Sequence, residues 1–291
     1  MENLFKDKRV LITGHLGMIG RELDLLLTGL GATVTGADIK NGIDLRHFGT
    51  CLKITENIDY AFLLMGIKGS PRMTQERPVD FFVPMIQCNT NTLEACRINN
   101  VKKVLYTSSI AVLNPQTDKF PAFAKTAAEM QIEAYKIQYP EFGQNCFITR
   151  PANVYGRFDN FDNPNAMVVT SLVRKAILNN EIEVWGDGSE TREFISAQDV
   201  ARGMILTMEK SPDKPVNLGS GEVHSIKEVA EILSELSDKP ITYLLRESKG
   251  DKNRVVYNDL NQADIGFKPE DDFKESIIKV YNCAKNYYLN R

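Results

Sequence analysis

Residues Lys8–Gly20 read KRVLITGHLGMIG. Lys8–Thr13 is a short apolar run rich in β-branched residues, the composition of a buried strand. It ends at TGHLGMIG, and the segment that follows, RELDLLLTGLGA, spaces its leucines as one face of a helix would. The order is strand, glycine turn, helix. Three glycines in Gly14-x-x-Gly17-x-x-Gly20 fall at that turn, where missing side chains let main-chain amides approach a pyrophosphate at the positive end of the helix.

Working outward, further apolar runs appear at Ala32–Ala37 (ATVTGA), Tyr60–Met65 (YAFLLM), Lys103–Thr107 (KVLYT) and Cys146–Arg150 (CFITR). Helical stretches are predicted over about 81–98 and 122–139. Strands alternating with helices predict an α/β fold with a doubly wound parallel sheet. Asp38 closes the second strand 18 residues after Gly20. A carboxylate there can accept both hydroxyls of an adenosine ribose, and it repels a 2′-phosphate, so the predicted cofactor is NAD rather than NADP. Asp44-Leu45 is placed to meet the adenine. His15 reads as a solvated loop residue, and Trp185, the only tryptophan, as a core residue.

The texture changes at GRFDNFDNPNA (156–166), rich in turn formers. That places a boundary between a dinucleotide-binding domain, 1–155, and a mainly substrate-binding portion, 156–291, from which about 194–210 are expected to return to the first domain. Ser225-Ile-Lys-Glu228 is a capping box heading an amphipathic helix. The formal net charge is −3 over 291 residues, so no global positive field exists for nucleic acid or an anionic membrane. Five cysteines without C-x-x-C spacing and three scattered histidines predict free thiols and no metal site. With no signal core and no run of apolar residues long enough to span a bilayer, a cytoplasmic protein is expected.

The loop TGHLGMIG, VLYTSSIAV, Lys125 within FAKTAAEM, RPANVYG and GDGSETREFISAQDVA occur in that order. Together they resemble the extended short-chain dehydrogenases/reductases, the NAD-dependent epimerase/dehydratase family of nucleotide-sugar enzymes. The likeness spans nearly the whole chain and is greatest to the GDP-fucose synthase branch. It implies a Rossmann domain holding NAD and a smaller C-terminal α/β portion clamping a nucleoside-diphosphate sugar. Carried onto matching positions, it implies cofactor contacts from Gly14, Gly17, Met18, Ile19, Gly20, Asp38, Asp44, Leu45, Met65, Lys125 and Pro151. Ser109 would bond the reacting sugar oxygen, with Lys125 on the nicotinamide ribose. Asn153, Arg192 and Arg254 would meet the substrate diphosphate, a task suited to guanidinium forks. The resemblance also implies a homodimer through a four-helix interface, for which Phe81, Phe82 and Ile132 are candidates.

One position breaks the pattern. The family's proton-transferring Tyr lies four residues before the Lys, and here that position is Pro121. Lys125 follows Ser109 by only 16 positions, fewer than the family usually has. Tyr106, Tyr155, Ser109 and Lys125 are the conceivable substitutes. The Asp-Glu pair of the dehydratases is replaced by Ile110-Ala111, and the Cys and His that epimerise carbon acids by Ile110 or Ala111 and by Met167. What remains is hydride transfer at one sugar carbon, C4 by expectation, as a dehydrogenase or reductase. The alternatives are a hydride-return 4-epimerase and a catalytically impaired relative that binds NAD and nucleotide sugar.

Overall fold

A computed structural model describes residues 3–67, 71–115, 119–163, 166–244 and 261–290. The chain begins β1 (Arg9–Thr13), α1 (Met18–Gly29), β2 (Thr33–Ala37), α2 (Phe48–Thr55), β3 (Tyr60–Leu63), α3 (Pro71–Glu76) and α4 (Pro78–Ile98). It continues with β4 (Lys103–Thr107), α5 (Lys119–Gln138), α6 (Pro140–Gly143), β5 (Cys146–Pro151), β6 (Asn153–Tyr155) and α7 (Val168–Leu178). Then come β7 (Ile182–Trp185), β8 (Thr191–Ser196), α8 (Ala197–Lys210), β9 (Val216–Leu218), β10 (Val223–Ser225), α9 (Ile226–Ser237), β11 (Ile241–Leu244) and α10 (Phe273–Leu289).

The main sheet runs β2-β1-β3-β4-β5-β9, with every neighbouring pair parallel. Four of the five residues of β1 and all of β3 are buried, as expected of strands covered by helices on both faces. On one face, Leu23 and Leu27 of α1 share a core with Val200 and Met204 of α8. On the other, Leu93 of α4 and Ala128 and Ile132 of α5 pack over Leu63 and Tyr106. From β1 the chain moves outward to β2 and then back across to β3. The strand order therefore reverses at the C-terminal ends of β1 and β3, where an open α/β sheet leaves its crevice.

A second core joins Tyr155, Leu172, Ile182, Phe194, Leu233 and Ile277. It is built from α7, α9 and α10 with two small sheets, β10-β8-β6 and β11-β7. The chain crosses back between the cores: Ile195, Val200, Met204, Val216, Leu218 and Phe267 all pack with the first. Short β9 adds the last strand of the main sheet by pairing Leu218 with Pro151.

Two apolar expectations change. Phe81 and Ile132 are 4% and 0% exposed, so they face inward and cannot meet another chain. The large apolar side chains that α4 and α5 leave outside are Val79, Val83, Ile98, Phe123, Met130 and Ile137. Trp185 is 53% exposed, because its strand pairs only with β11 at the rim of the second unit, so it is not a core residue.

Candidate active site

The glycine bend between β1 and α1 is built from main chain. Gly14 has φ +66, where a Cβ is strained, and a Cβ there would stand 3.1 Å from the Leu64 carbonyl oxygen. A Cβ on Gly20 would come within 2.5 Å of the Gly14 oxygen and 2.7 Å of the His15 oxygen, closer than atoms pack. Gly17 is the N-cap of α1, with no side-chain cap and no acid in the first turn. The amides of Met18 and Ile19 therefore begin a helix end with no protein anion bound to it, as a pyrophosphate requires.

Asp38 is fastened to this bend. One carboxylate oxygen accepts from the Leu16 amide at 3.1 Å, and the other from the Lys40 amide at 3.0 Å. The half-buried carboxylate thus lies at the tip of β2 beside the glycines, with lone pairs to spare for ribose hydroxyls. His15 is not a solvated residue: its Nε2 lies 3.0 Å from Asp24. Its ring packs over Gly36, where a Cβ would lie 2.3 Å from Nδ1.

Farther along the crevice, the Arg46 fork grips Asp44 at 2.9 and 2.6 Å and holds its carboxyl down at about 2. Leu45 is buried and packs with Cys51 and Cys88 against Met65, forming an apolar floor. Pro151, also buried, ends β5. A NAD-shaped ligand fits these features: a cradle that a Cβ would fill, a carboxylate beside it and an apolar floor. NAD supplies hydride acceptance and its reduced form hydride donation.

The other end of the crevice is built from side chains. Ser109 follows β4 and caps the turn Ile110–Leu113, its Oγ accepting from the Ala111 amide at 3.2 Å. Lys125, half-buried on α5, donates from Nζ to the Thr107 carbonyl at 2.6 Å and lies 5.2 Å from the centre of the Tyr106 ring. A Cβ on Gly66 would be 3.8 Å from Nζ, so the ammonium sits between the C-terminal ends of β3 and β4. Burial pushes Lys125 down to about 8, against the pull of Glu129. The hydroxyls of Thr107, Ser108 and Thr149 are buried there without a hydrogen-bond partner among the described residues. Nothing in the sequence beyond the residue types themselves announces this group of hydroxyls.

Neither candidate tyrosine serves this end. Tyr106 is fully buried, its hydroxyl accepts from Asn89 at 3.0 Å, and burial pushes its pKa well up. Tyr155 is buried in the second core against Phe194 and Phe273, with its pKa likewise raised by burial. Pro121 lies in the first turn of α5, where a missing amide costs nothing.

On the substrate side, Asn153 donates to the Glu193 carbonyl at 2.9 Å and pairs in register with Phe194. Arg192 is half-buried two residues before Phe194 on β8. The small sheet therefore brings Asn153 and Arg192 onto neighbouring strands. Arg254 lies outside the described residues. Among those described, no cluster of three or more metal-ligating side chains occurs, and no helix is long and apolar enough to cross a membrane.

Known proteins share this layout. The chain is 29% identical to a probable GDP-L-fucose synthase 1 of Oryza sativa subsp. japonica, covering 95% of this chain and 92% of the relative. It is 27% identical to GDP-mannose 3,5-epimerase 1 of Oryza sativa subsp. indica, over 95% of this chain and 82% of that one. Among solved structures, the UDP-N-acetylglucosamine 4-epimerase of Methanobrevibacter ruminantium M1, in complex with UDP-N-acetylmuramic acid, superposes with a TM-score of 0.85 at 28% identity, covering 97% of this chain and 100% of that one. The family model described as "NAD dependent epimerase/dehydratase family" matches residues 10–219, so the chain belongs to that family and is an NAD-dependent enzyme of nucleotide-sugar chemistry.

Proposed function

We propose that the protein moves a hydride to or from one carbon, C4, of a nucleoside-diphosphate sugar, as a dehydrogenase or reductase. The observation that carries this reading is that Ser109 follows β4 directly while the Lys125 ammonium is held on the Thr107 carbonyl at the end of the same strand. The groups needed for dehydration or carbon-acid epimerisation are missing at the matching positions: Ile110 and Ala111 occupy the turn after Ser109, and Met167 caps α7. None of these side chains can carry a proton to or from carbon.

In this reading Asp38 holds the adenosine ribose and the Gly14–Gly20 bend holds the pyrophosphate. Ser109 donates to the sugar oxygen. Asn153 and Arg192, with Arg254, hold the diphosphate and so fix the sugar ring over the nicotinamide. Tight placement of the reacting carbon supplies much of the rate, since proximity replaces a bimolecular encounter.

A second reading, 4-epimerisation by returning the hydride to the opposite face, draws support from the likeness to a 4-epimerase at 28% identity. A third, a relative that binds both ligands without turnover, draws support from Pro121. We also propose a homodimer, through the exposed apolar side chains of α4 and α5, and a cytoplasmic site of action, consistent with free cysteines at all five positions.

A panel of GDP-, UDP-, dTDP- and CDP-hexoses and their 4-keto forms, incubated with NAD or NADH, separates these readings. A change in nicotinamide absorbance supports the dehydrogenase or reductase. An epimer without net absorbance change supports the 4-epimerase. Binding of both ligands without either change favours the impaired relative.

A further inference from the structure

Position 121 denies the crevice a phenol, and of the two tyrosines that could replace it Tyr106 is buried with its hydroxyl on Asn89 and Tyr155 is buried in the second core. Among the described residues, the ammonium beside the end of β4 is that of Lys125. Its surroundings are unusual for a helix lysine. Glu129 stands one turn on, at the i,i+4 spacing where a carboxylate and an ammonium ordinarily pair. Here the carboxylate is occupied. Arg150, from the end of β5, donates through Nε to one Glu129 oxygen at 2.9 Å and through Nη2 to the other. Glu129 is 7% exposed, and fork-on-carboxylate pairing of this kind is both strong and directional. Among the described residues, the one hydrogen-bond acceptor for the Lys125 ammonium is the neutral Thr107 carbonyl.

We propose that Arg150 and Glu129 are positioning residues that keep Lys125 on a single neutral acceptor, and that the Lys125 ammonium, held this way, exchanges the proton a phenol would have exchanged. The proposal rests on the hydride-transfer reading above. In the reducing direction the sugar carbonyl carbon receives a hydride from the reduced nicotinamide, and the C=O π pair moves onto oxygen. That oxygen takes a proton from Nζ. A C–H and an O–H bond form, an N–H bond breaks, the sugar is reduced and the nicotinamide oxidised. The neutral amine regains its proton from water. Oxidation runs the same steps backward.

The charges around Nζ make the sign of the control definite. Tyr106 faces it from β4, Glu129 acts on it from its own helix with Arg150 of β5 bonded to that carboxylate, and Gly66 after β3 brings no titratable group. Burial favours the neutral amine and the Glu129 carboxylate opposes it. Removing Arg150 leaves that carboxylate free to pair with the ammonium, which makes Lys125 a weaker acid. Removing Glu129 as well takes the attraction away.

Trace acetylation of the full-length protein with acetic anhydride across a pH series, read at the Lys125 peptide by mass spectrometry, gives the titration midpoint of Nζ. Wild type is expected near pH 8. Arg150→Met is expected to move the midpoint up by about one unit or more, in line with an opposite charge at close range. The double variant Arg150→Met/Glu129→Gln returns to the wild-type value or below, which a general loosening of the fold would not produce. A wild-type midpoint at the ordinary lysine value of about 10.4, or an Arg150→Met midpoint that does not rise, overturns the proposal. In the reducing direction the alkaline limb of kcat/KM, which reports the free enzyme, should follow the labelling midpoint in wild type and Arg150→Met, and a limb that stays while the midpoint moves also overturns it. Failure of the hydride-transfer reading is seen separately, as no nicotinamide change with any nucleotide sugar, and it would sink the proton role while the labelling shifts still judge the positioning.

Discussion

The two ends of the crevice are made differently. The end proposed to hold the adenosine is built from main chain and one carboxylate: the Gly14 turn, the uncapped start of α1, and Asp38 tied to Leu16 and Lys40. The sugar end depends on side chains: Ser109, Lys125 and three buried hydroxyls. A main-chain site is insensitive to many substitutions but tolerates no Cβ where strands and helix meet. A side-chain site loses or changes its chemistry at a single position, as it does where Pro121 stands in place of a phenol. One end therefore preserves its task while the other can be retuned.

The sharpest way to break that contrast is Gly20→Val. The new Cβ would lie 2.5 Å from the Gly14 oxygen, and overpacking against backbone costs at least about 1–3 kcal/mol. Calorimetry should find NAD binding abolished and thermal melting a lowered midpoint. Unchanged NAD affinity would refute the main-chain account of the bend. Next in size is Lys125→Met, which removes the proton carrier at the other end. Turnover should fall by on the order of 10²–10⁴ while the melting temperature holds or rises, since the buried ammonium is a burden to the fold below its unfolded pKa. Steady-state rates and a melt distinguish this from misfolding.

A smaller effect is expected from Asp38→Ala, which deletes hydrogen bonds from a charged acceptor worth about 1.5–3 kcal/mol in all, or roughly 10–150-fold in NAD affinity. Discrimination against NADP should shrink with it, and competition binding would measure both. Smallest is Ile137→Glu on α5. Ile137 is 85% exposed, so stability should shift by no more than about 0.5 kcal/mol. Light scattering should nonetheless show less dimer if α4 and α5 form the interface.

The bend from β1 into α1 and the place of Asp38 beside it were legible in the sequence, because their physics is local. A glycine spacing after an apolar run, and an acid at the end of the next strand, are read within a few residues of each other. β4 falls at Lys103–Thr107 where the apolar run lay, and α5 at Lys119–Gln138 close to the helical stretch. What was not legible depends on partners distant in the chain. His15 looked solvated because nothing nearby announces that it lies on Gly36. Phe81 and Ile132 looked available because α4 and α5 carry apolar residues on more than one side, and periodicity alone does not choose the buried face. Trp185 looked like core because a lone tryptophan usually is. Tyr106 and Tyr155 remained candidates until burial removed them. The Arg150–Glu129 fork joins β5 to α5 across 21 positions, and no spacing rule predicts it.

The central claim is that a hydride still moves at a sugar carbon although the phenol is absent. NADH carrying deuterium at the transferable C4 position, incubated with the full-length protein and 4-keto forms of GDP-, UDP-, dTDP- and CDP-hexoses, tests it directly by mass spectrometry of the sugar. The account predicts one deuterium on the sugar ring in at least one product, lost in Lys125→Met. Bound dinucleotide and bound sugar, with no deuterium transferred to any of them on prolonged incubation, would contradict it.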